Sequence, residues 1–71
     1  MQVFVKYLTT YTFEVSNKTT GNDLKHLVSE KINIPIEYFY LTHSSKILSD
    51  RVLSDYNINE CSRVEVVLRH C

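Results

Sequence analysis

Both ends of the chain alternate apolar and polar residues with a period of two, while one stretch between them repeats at helical spacing. That change of period constrains the fold more than any other property of the sequence. A strand buries every second side chain, and a helix buries every third or fourth. Met1, Val3, Val5 and Tyr7 alternate with Gln2, Phe4 and Lys6, so the odd set is expected to face a core and Phe4 to face outward. After a turn at Leu8-Thr9-Thr10, Tyr11, Phe13 and Val15 alternate with Thr12 and Glu14. Two short strands across a short turn predict an antiparallel hairpin. Near the other end, Val64, Val66 and Leu68 alternate with Glu65, Val67 and Arg69, a final strand.

The helical stretch opens at Thr20, whose hydroxyl is placed to accept a bond from the amide of Asp23, a cap for a helix N-terminus. The negative charge of Asp23 in the first turn suits the helix dipole. Leu24, Leu27, Val28 and Ile32 form the expected apolar stripe. Gly21 is unexpected at this point, since a glycine inside a helix costs about 1 kcal/mol relative to alanine. Pro35 disfavours helical geometry at Ile34 and predicts an end near Ile32-Asn33. A short turn over Glu37 to Tyr40, a strand over Tyr40 to His43, a Ser44-Ser45 turn and a very short strand at Lys46-Ile47-Leu48 follow. Leu53 to Ile58 is compact and irregular, anchored by Leu53, Tyr56 and Ile58. The order is β-β-α-β-β-β. One helix laid across a mixed sheet of four to five strands, an α+β domain, is the economical way to bury these stripes.

Composition narrows what such a domain does. With 71 residues there is room for one core. Eight basic and eight acidic residues give a formal net charge of zero, and the lysines are scattered. A domain that binds nucleic acid directly carries a basic patch, so none is expected to be a ligand. No apolar run approaches a membrane span. Cys61 and Cys71 would lie about 30 Å apart along an extended strand, beyond disulfide reach. Two reduced cysteines fit the cytoplasm, or the nucleus. No CxxC or HxxxH spacing predicts a metal site, and no cofactor is implied. Asn17-Lys18-Thr19 matches a glycosylation acceptor, but the first residues carry no secretory signal. His70 and Cys71 are adjacent, so on a strand they would point to opposite faces and make no catalytic pair. No catalytic residue is expected, and Tyr56 is expected to be structural. His26 and His43 are expected at the surface. Tyr38, Phe39 and Tyr40 either pack over the helix end, offsetting the missing side chain of Gly21, or form an exposed aromatic patch.

The opening string MQVFVKYLT, the segment LSDYNI (Leu53 to Ile58) and the closing VVLR (Val66 to Arg69) together resemble ubiquitin across the whole chain. Lys25, the Ile34-Pro35 pair and Lys46 also match, with short deletions after Thr10 and near Arg51. The resemblance implies the β-grasp fold. It also implies that Tyr56 packs on its loop and bonds backbone through its hydroxyl, and that the domain is a monomer that works by binding other proteins.

Carried over residue by residue, the resemblance marks two departures. Ubiquitin's recruiting patch implies partner-binding positions at Leu8, Thr42, Glu65 and Val67. Leu8 and Val67 keep the family's residue types, but Thr42 stands where an isoleucine is expected and Glu65 where a histidine is expected. A carboxylate at the edge of such a patch opposes apolar docking, so weak binding to ordinary ubiquitin receptors is expected. The conjugation tail departs after Arg69: His70 and Cys71 replace leucine and arginine, and the only glycine is Gly21. Lys46 matches a chain-linking lysine and Glu60 replaces another, while Lys6, Lys25 and Lys31 are expected to be solvated or salt-bridged. The resemblance therefore implies a non-conjugating ubiquitin-like domain over residues 1–71, the N-terminal part of a longer protein. The leading expectation is an uncleaved fusion to a small-subunit ribosomal protein, reaching the ribosome through its downstream segment. The alternatives are an adaptor that docks a chaperone or proteasome receptor, suggested by LVSEKINIP (Leu27 to Pro35), and a conjugatable modifier if Gly-Gly follows Cys71.

Overall fold

A computed structural model describes residues 1–16 and 18–69. The strands are β1 (Gln2–Lys6), β2 (Thr10–Glu14), β3 (Phe39–His43), β4 (Lys46–Ile47) and β5 (Ser62–Leu68), with helix α1 (Gly21–Ile32) between β2 and β3. Two 3-10 turns, Ile36–Tyr38 and Leu53–Tyr56, complete the path. The five strands lie in the order β2-β1-β5-β3-β4. The central pair, β1 and β5, is parallel, and the other pairs are antiparallel. The sheet is therefore mixed, with the first and last strands adjacent in its interior and α1 across one face: the β-grasp architecture.

Alternation assigns the faces. Val3, Val5, Val64, Phe39 and Leu41 turn inward and are fully buried together with Leu24, Val28 and Leu53. Each such side chain contributes roughly 1.5–3 kcal/mol. The helix begins as the capping argument requires: the Asp23 amide donates to Thr20 Oγ1 and the Thr20 amide to Asp23 Oδ2, a reciprocal box. It ends at Asn33, a left-handed cap at φ 61° whose amide donates to the Ser29 carbonyl. The Tyr56 hydroxyl accepts from the Ser49 amide at 3.0 Å and pairs with Ser49 Oγ at 3.0 Å. The packing and backbone bond expected of this phenol are both present.

Several expectations give way to tertiary geometry. Gly21 is no defect in the helix. A Cβ there would stand 2.5 Å from the Ser49 carbonyl oxygen and 2.8 Å from the Ser49 nitrogen. The Gly21 amide donates to Arg51 O and the Asn22 amide to Ser49 O, so the Ser49–Arg51 loop is pinned onto the helix start, and only glycine permits that approach. This loop, rather than the aromatic cluster, covers Gly21. Leu27 leaves the core stripe and is 41% exposed: Gly21, Leu24, Val28 and Ile32 share one face, and Leu27 lies on its flank. Tyr7 falls in the turn after β1 and is half-buried, whereas Thr10 belongs to β2. Phe39, not Tyr40, opens β3. Leu48 follows β4 and is buried, its amide donating to Leu41 O. Leu68 continues the inner row in register but is 41% exposed at the open end of the sheet.

Candidate functional site

The strand registers build the outer face of the sheet row by row. One row runs Thr10, Lys6, Glu65, Thr42, Ile47 across all five strands. On one side of it Val67 pairs with Tyr40, and on the other Thr12, Phe4 and Arg63 stand in line. Leu8 sits in the turn between β1 and β2 and is 86% exposed. The structure thus brings Thr42 and Glu65 side by side as cross-strand partners and places Val67 two residues beyond Glu65 on the same face. Leu8 is the outlying member, in the turn that leaves the Lys6 end of β1.

The centre of this face is polar, bordered by Tyr40, Val67 and Ile47 on one side and by Lys6 and Arg63 on the other. Thr42 is half-buried between Glu65 and Ile47, and Ile47 is 58% exposed. Tyr40, half-buried, carries the Arg69 guanidinium 5.5 Å from its ring centroid, and the Arg69 amide donates to Tyr38 O. Such a stacked cation is held by the ring quadrupole and keeps its charge beside the apolar surface. Glu65 lies in register with Lys6, yet among the described residues the side-chain ion pair within 4.0 Å is Arg51 with Asp55, not Lys6 with Glu65. The Glu65 carboxylate is exposed and free to meet a donor from outside.

Other positions have mainly local roles. Lys46 is exposed at the edge strand opposite His43. His43 is half-buried, its Nδ1 2.7 Å from Arg63 O. Glu60 accepts the Gln2 amide at 3.1 Å and so ties the last loop to β1. Lys25 is not freely solvated, and among the described residues it has no ion-pair partner. It is half-buried with Nζ 5.6 Å from the Phe39 ring centroid. Burial, then the nearby Arg69 charge, pull its pKa below the ordinary lysine value against the opposing pull of Glu37. The aromatic triplet divides: Phe39 enters the core, Tyr40 joins the outer face, and Tyr38 is 56% exposed. Cys61 is exposed, and among the described residues no three His, Cys, Asp or Glu side chains gather as metal ligands. No described helix is long and apolar enough to cross a membrane. Asn17, His70 and Cys71, which carry the glycosylation, conjugation-tail and thiol–imidazole questions, lie outside the described residues.

The model of the ubiquitin family matches residues 3–71. The chain belongs to the ubiquitin family. Among its curated ubiquitin-like relatives are Ubiquitin-like protein 4A from Rattus norvegicus, 38% identical over 72 residues, and from Homo sapiens, 36% identical over 72 residues. Each alignment covers 97% of this chain and 46% of the relative. The UV excision repair protein RAD23 homolog of Dictyostelium discoideum is 38% identical over 60 residues, covering 83% of this chain and 18% of that protein. The chain thus spans less than half the length of these ubiquitin-like relatives.

Sequence reasoning missed one contributor to this face, Ile47, and left Tyr40 open between helix-end packing and an exposed patch. Both were readable in principle. With β3 starting at Phe39, period two puts Tyr40 and Thr42 on one face, and a two-residue Ser44-Ser45 turn brings Ile47 opposite Thr42.

Proposed function

We propose that this chain is a non-conjugating, non-catalytic ubiquitin-like domain that acts as an adaptor, docking a protein partner on the outer face of its sheet. One observation carries the reading: Tyr40, Ile47 and Val67 flank a polar centre of Thr42 and Glu65 on one side, with Lys6 and Arg63 on the other and Leu8 exposed in the turn beyond β1. A partner suited to this surface presents apolar contacts around a hydrogen-bond donor or cation placed to meet Glu65. A purely apolar anchor would leave that carboxylate desolvated and unpaired, which is costly. Tyr40, Ile47 and Val67, each at least partly open to solvent, supply the apolar contacts such a partner would use.

The relatives fit a ubiquitin-like domain carried within a longer chain: in each of those named, the matched region is one part of a longer protein. A chaperone or a proteasome receptor is the partner class to test first, in the cytoplasm or nucleus. The 71 residues themselves hold no diglycine for conjugation.

The test titrates the isotope-labelled domain with a proteasomal ubiquitin receptor and, separately, with a co-chaperone. Amide shifts confined to Tyr40, Thr42, Ile47, Glu65 and Val67, with at least a tenfold loss of binding in Ile47→Asp, are expected for the true class. Shifts confined to the helix face, or an Ile47→Asp variant that binds as well as the parent, would overturn the proposal.

A further inference from the structure

The two edges of the sheet are unlike. β4 is two residues long with an exposed Lys46, a blunted edge. β2 is five residues, Thr10-Tyr11-Thr12-Phe13-Glu14. It has no proline, lysine or glycine, and threonine and aromatic residues favour strands.

Its free hydrogen-bonding groups are identifiable. The Met1 amine donates to Val15 O at 2.7 Å and the Val15 amide donates to Met1 O at 2.8 Å. Residues 1 and 15 therefore exchange both bonds. Antiparallel pairs alternate between bonded and non-bonded, so Val3 with Phe13 and Val5 with Tyr11 are the next bonded pairs. Thr10, Thr12 and Glu14 consequently point their amides and carbonyls away from β1. All three residues are exposed, and no backbone bond from another described element reaches them. Among the described residues, nothing pairs with the six main-chain groups that this edge presents in a row.

We propose that this edge pairs with the same edge of a second copy, antiparallel about a two-fold axis through Thr12. The sequence is self-complementary in that register. Thr12 meets Thr12, and Thr10 meets Glu14 of the second copy, so every outward amide faces an outward carbonyl. On the helix side of the sheet, Tyr11 meets Phe13 of the second copy twice, and aromatic cross-strand pairs are favourable. On the outer side, the row continues from Lys6 through Thr10 to Glu14 of the second copy. Two strand spacings separate that lysine and glutamate, about 10 Å at Cα, which their side chains can bridge. Glu14 is available for this: it is 74% exposed and its contact with the Met1 amine is 3.4 Å. A two-fold contact of this kind closes as a dimer and leaves the short β4 edges outermost.

The contact is small compared with a stable dimer interface, so pairing is weak and concentration-dependent, with half-saturation at roughly 0.1–1 mM. It becomes effective where two copies are held together. It does not depend on the docking face proposed above.

The test uses the 71-residue chain, its fold verified by amide dispersion. Amide spectra and sedimentation are followed from micromolar to millimolar concentration. Shifts and exchange protection confined to Thr10, Thr12 and Glu14, with the apparent mass rising toward twice the monomer, are expected. Thr12→Lys and Thr12→Glu leave the monomer intact, since the side chain and the main-chain groups it carries face solvent. Each variant alone should lose association, because like charges meet on the axis, and an equal mixture of the two should regain it. Concentration-independent spectra, shifts on another surface, or undiminished association of Thr12→Lys would overturn the proposal. Loss in both variants without recovery on mixing would also overturn it, because opposite charges meeting on a two-fold axis through Thr12 must restore the pairing.

Discussion

The inner and outer faces of this sheet are made by the same strands in strict alternation, yet they follow different rules. Inward, Val3, Val5, Phe39, Leu41 and Val64 are fully buried against Leu24 and Val28. Outward, Phe4, Tyr40, Thr42, Glu65 and Val67 mix apolar, polar and charged side chains, each at least partly open to solvent. A change inside must refill a close-packed space, so it is felt as stability. A change outside meets water and costs the fold little. The fold can therefore stay within the ubiquitin family while the outer face, the proposed docking surface, takes on different chemistry.

The sharpest way to break this division is to substitute neighbours in one strand. Phe39→Ala should lose about 3–5 kcal/mol in urea unfolding. That is a large part of the total for a small domain. Tyr40→Ala, one residue on, should lose less than about 1 kcal/mol, mainly its contacts with Arg69. Comparable losses at both positions would show that the outer face also holds the fold together.

The next largest effect is expected at the corner that closes the inner layer. Gly21→Ala drives a methyl group into the Ser49 backbone and should lower stability by about 2 kcal/mol despite alanine's better helix propensity. Tyr56→Phe removes the acceptor of the Ser49 amide and should lower it by about 1–2 kcal/mol. Both are read as shifts of the thermal midpoint. Because Gly21 and Tyr56 grip the same Ser49, the double variant should lose less than the sum of the singles.

The smallest effect lies between the layers, at Lys25. Its folded pKa is lowered by burial and by Arg69. Below that lowered value the residue is charged in both states, and the folded state bears the desolvation cost. As pH rises through it, the folded lysine loses its proton first. Stability should then climb until the unfolded lysine also deprotonates at its ordinary value near 10.5. Relative to Lys25→Met, the chain should gain stability on going from neutral to alkaline pH. A gain of the opposite sign would mean that Lys25 is held by an anion rather than desolvated.

Local chemistry made much of the inner layer legible. The Thr20 cap, the Asn33 stop, the Val3–Val5 alternation and the Leu53, Tyr56, Ile58 anchors each depend on a few neighbouring residues and a period. Gly21, Leu27 and the division among Tyr38, Phe39 and Tyr40 were misjudged or left open. Their environments are set by what arrives from far along the chain: the Ser49 loop at Gly21, and the register of β3 against β5 at Phe39. On the outer face, resemblance located Leu8, Thr42, Glu65 and Val67, and the registers confirm that Thr42 and Glu65 adjoin. Ile47 was passed over although the Ser44-Ser45 turn and the short strand after it were expected, because its membership of the face depends on the register across that turn, which sets Ile47 opposite Thr42.

The proposed docking joins a ubiquitin-family core to an outer face centred on Thr42 and Glu65. The most direct test is titration with an amphipathic ubiquitin-binding helix, comparing the parent chain with the Thr42→Ile/Glu65→His double variant. The two should unfold within about 0.5 kcal/mol of each other, as surface substitutions do. The double variant should bind the helix at least tenfold more tightly, with shifts spreading from Thr42 to Val67 and Leu8. Equal binding by parent and variant, tight or absent in both, would contradict the account, because Thr42 and Glu65 would then not be what sets this surface apart.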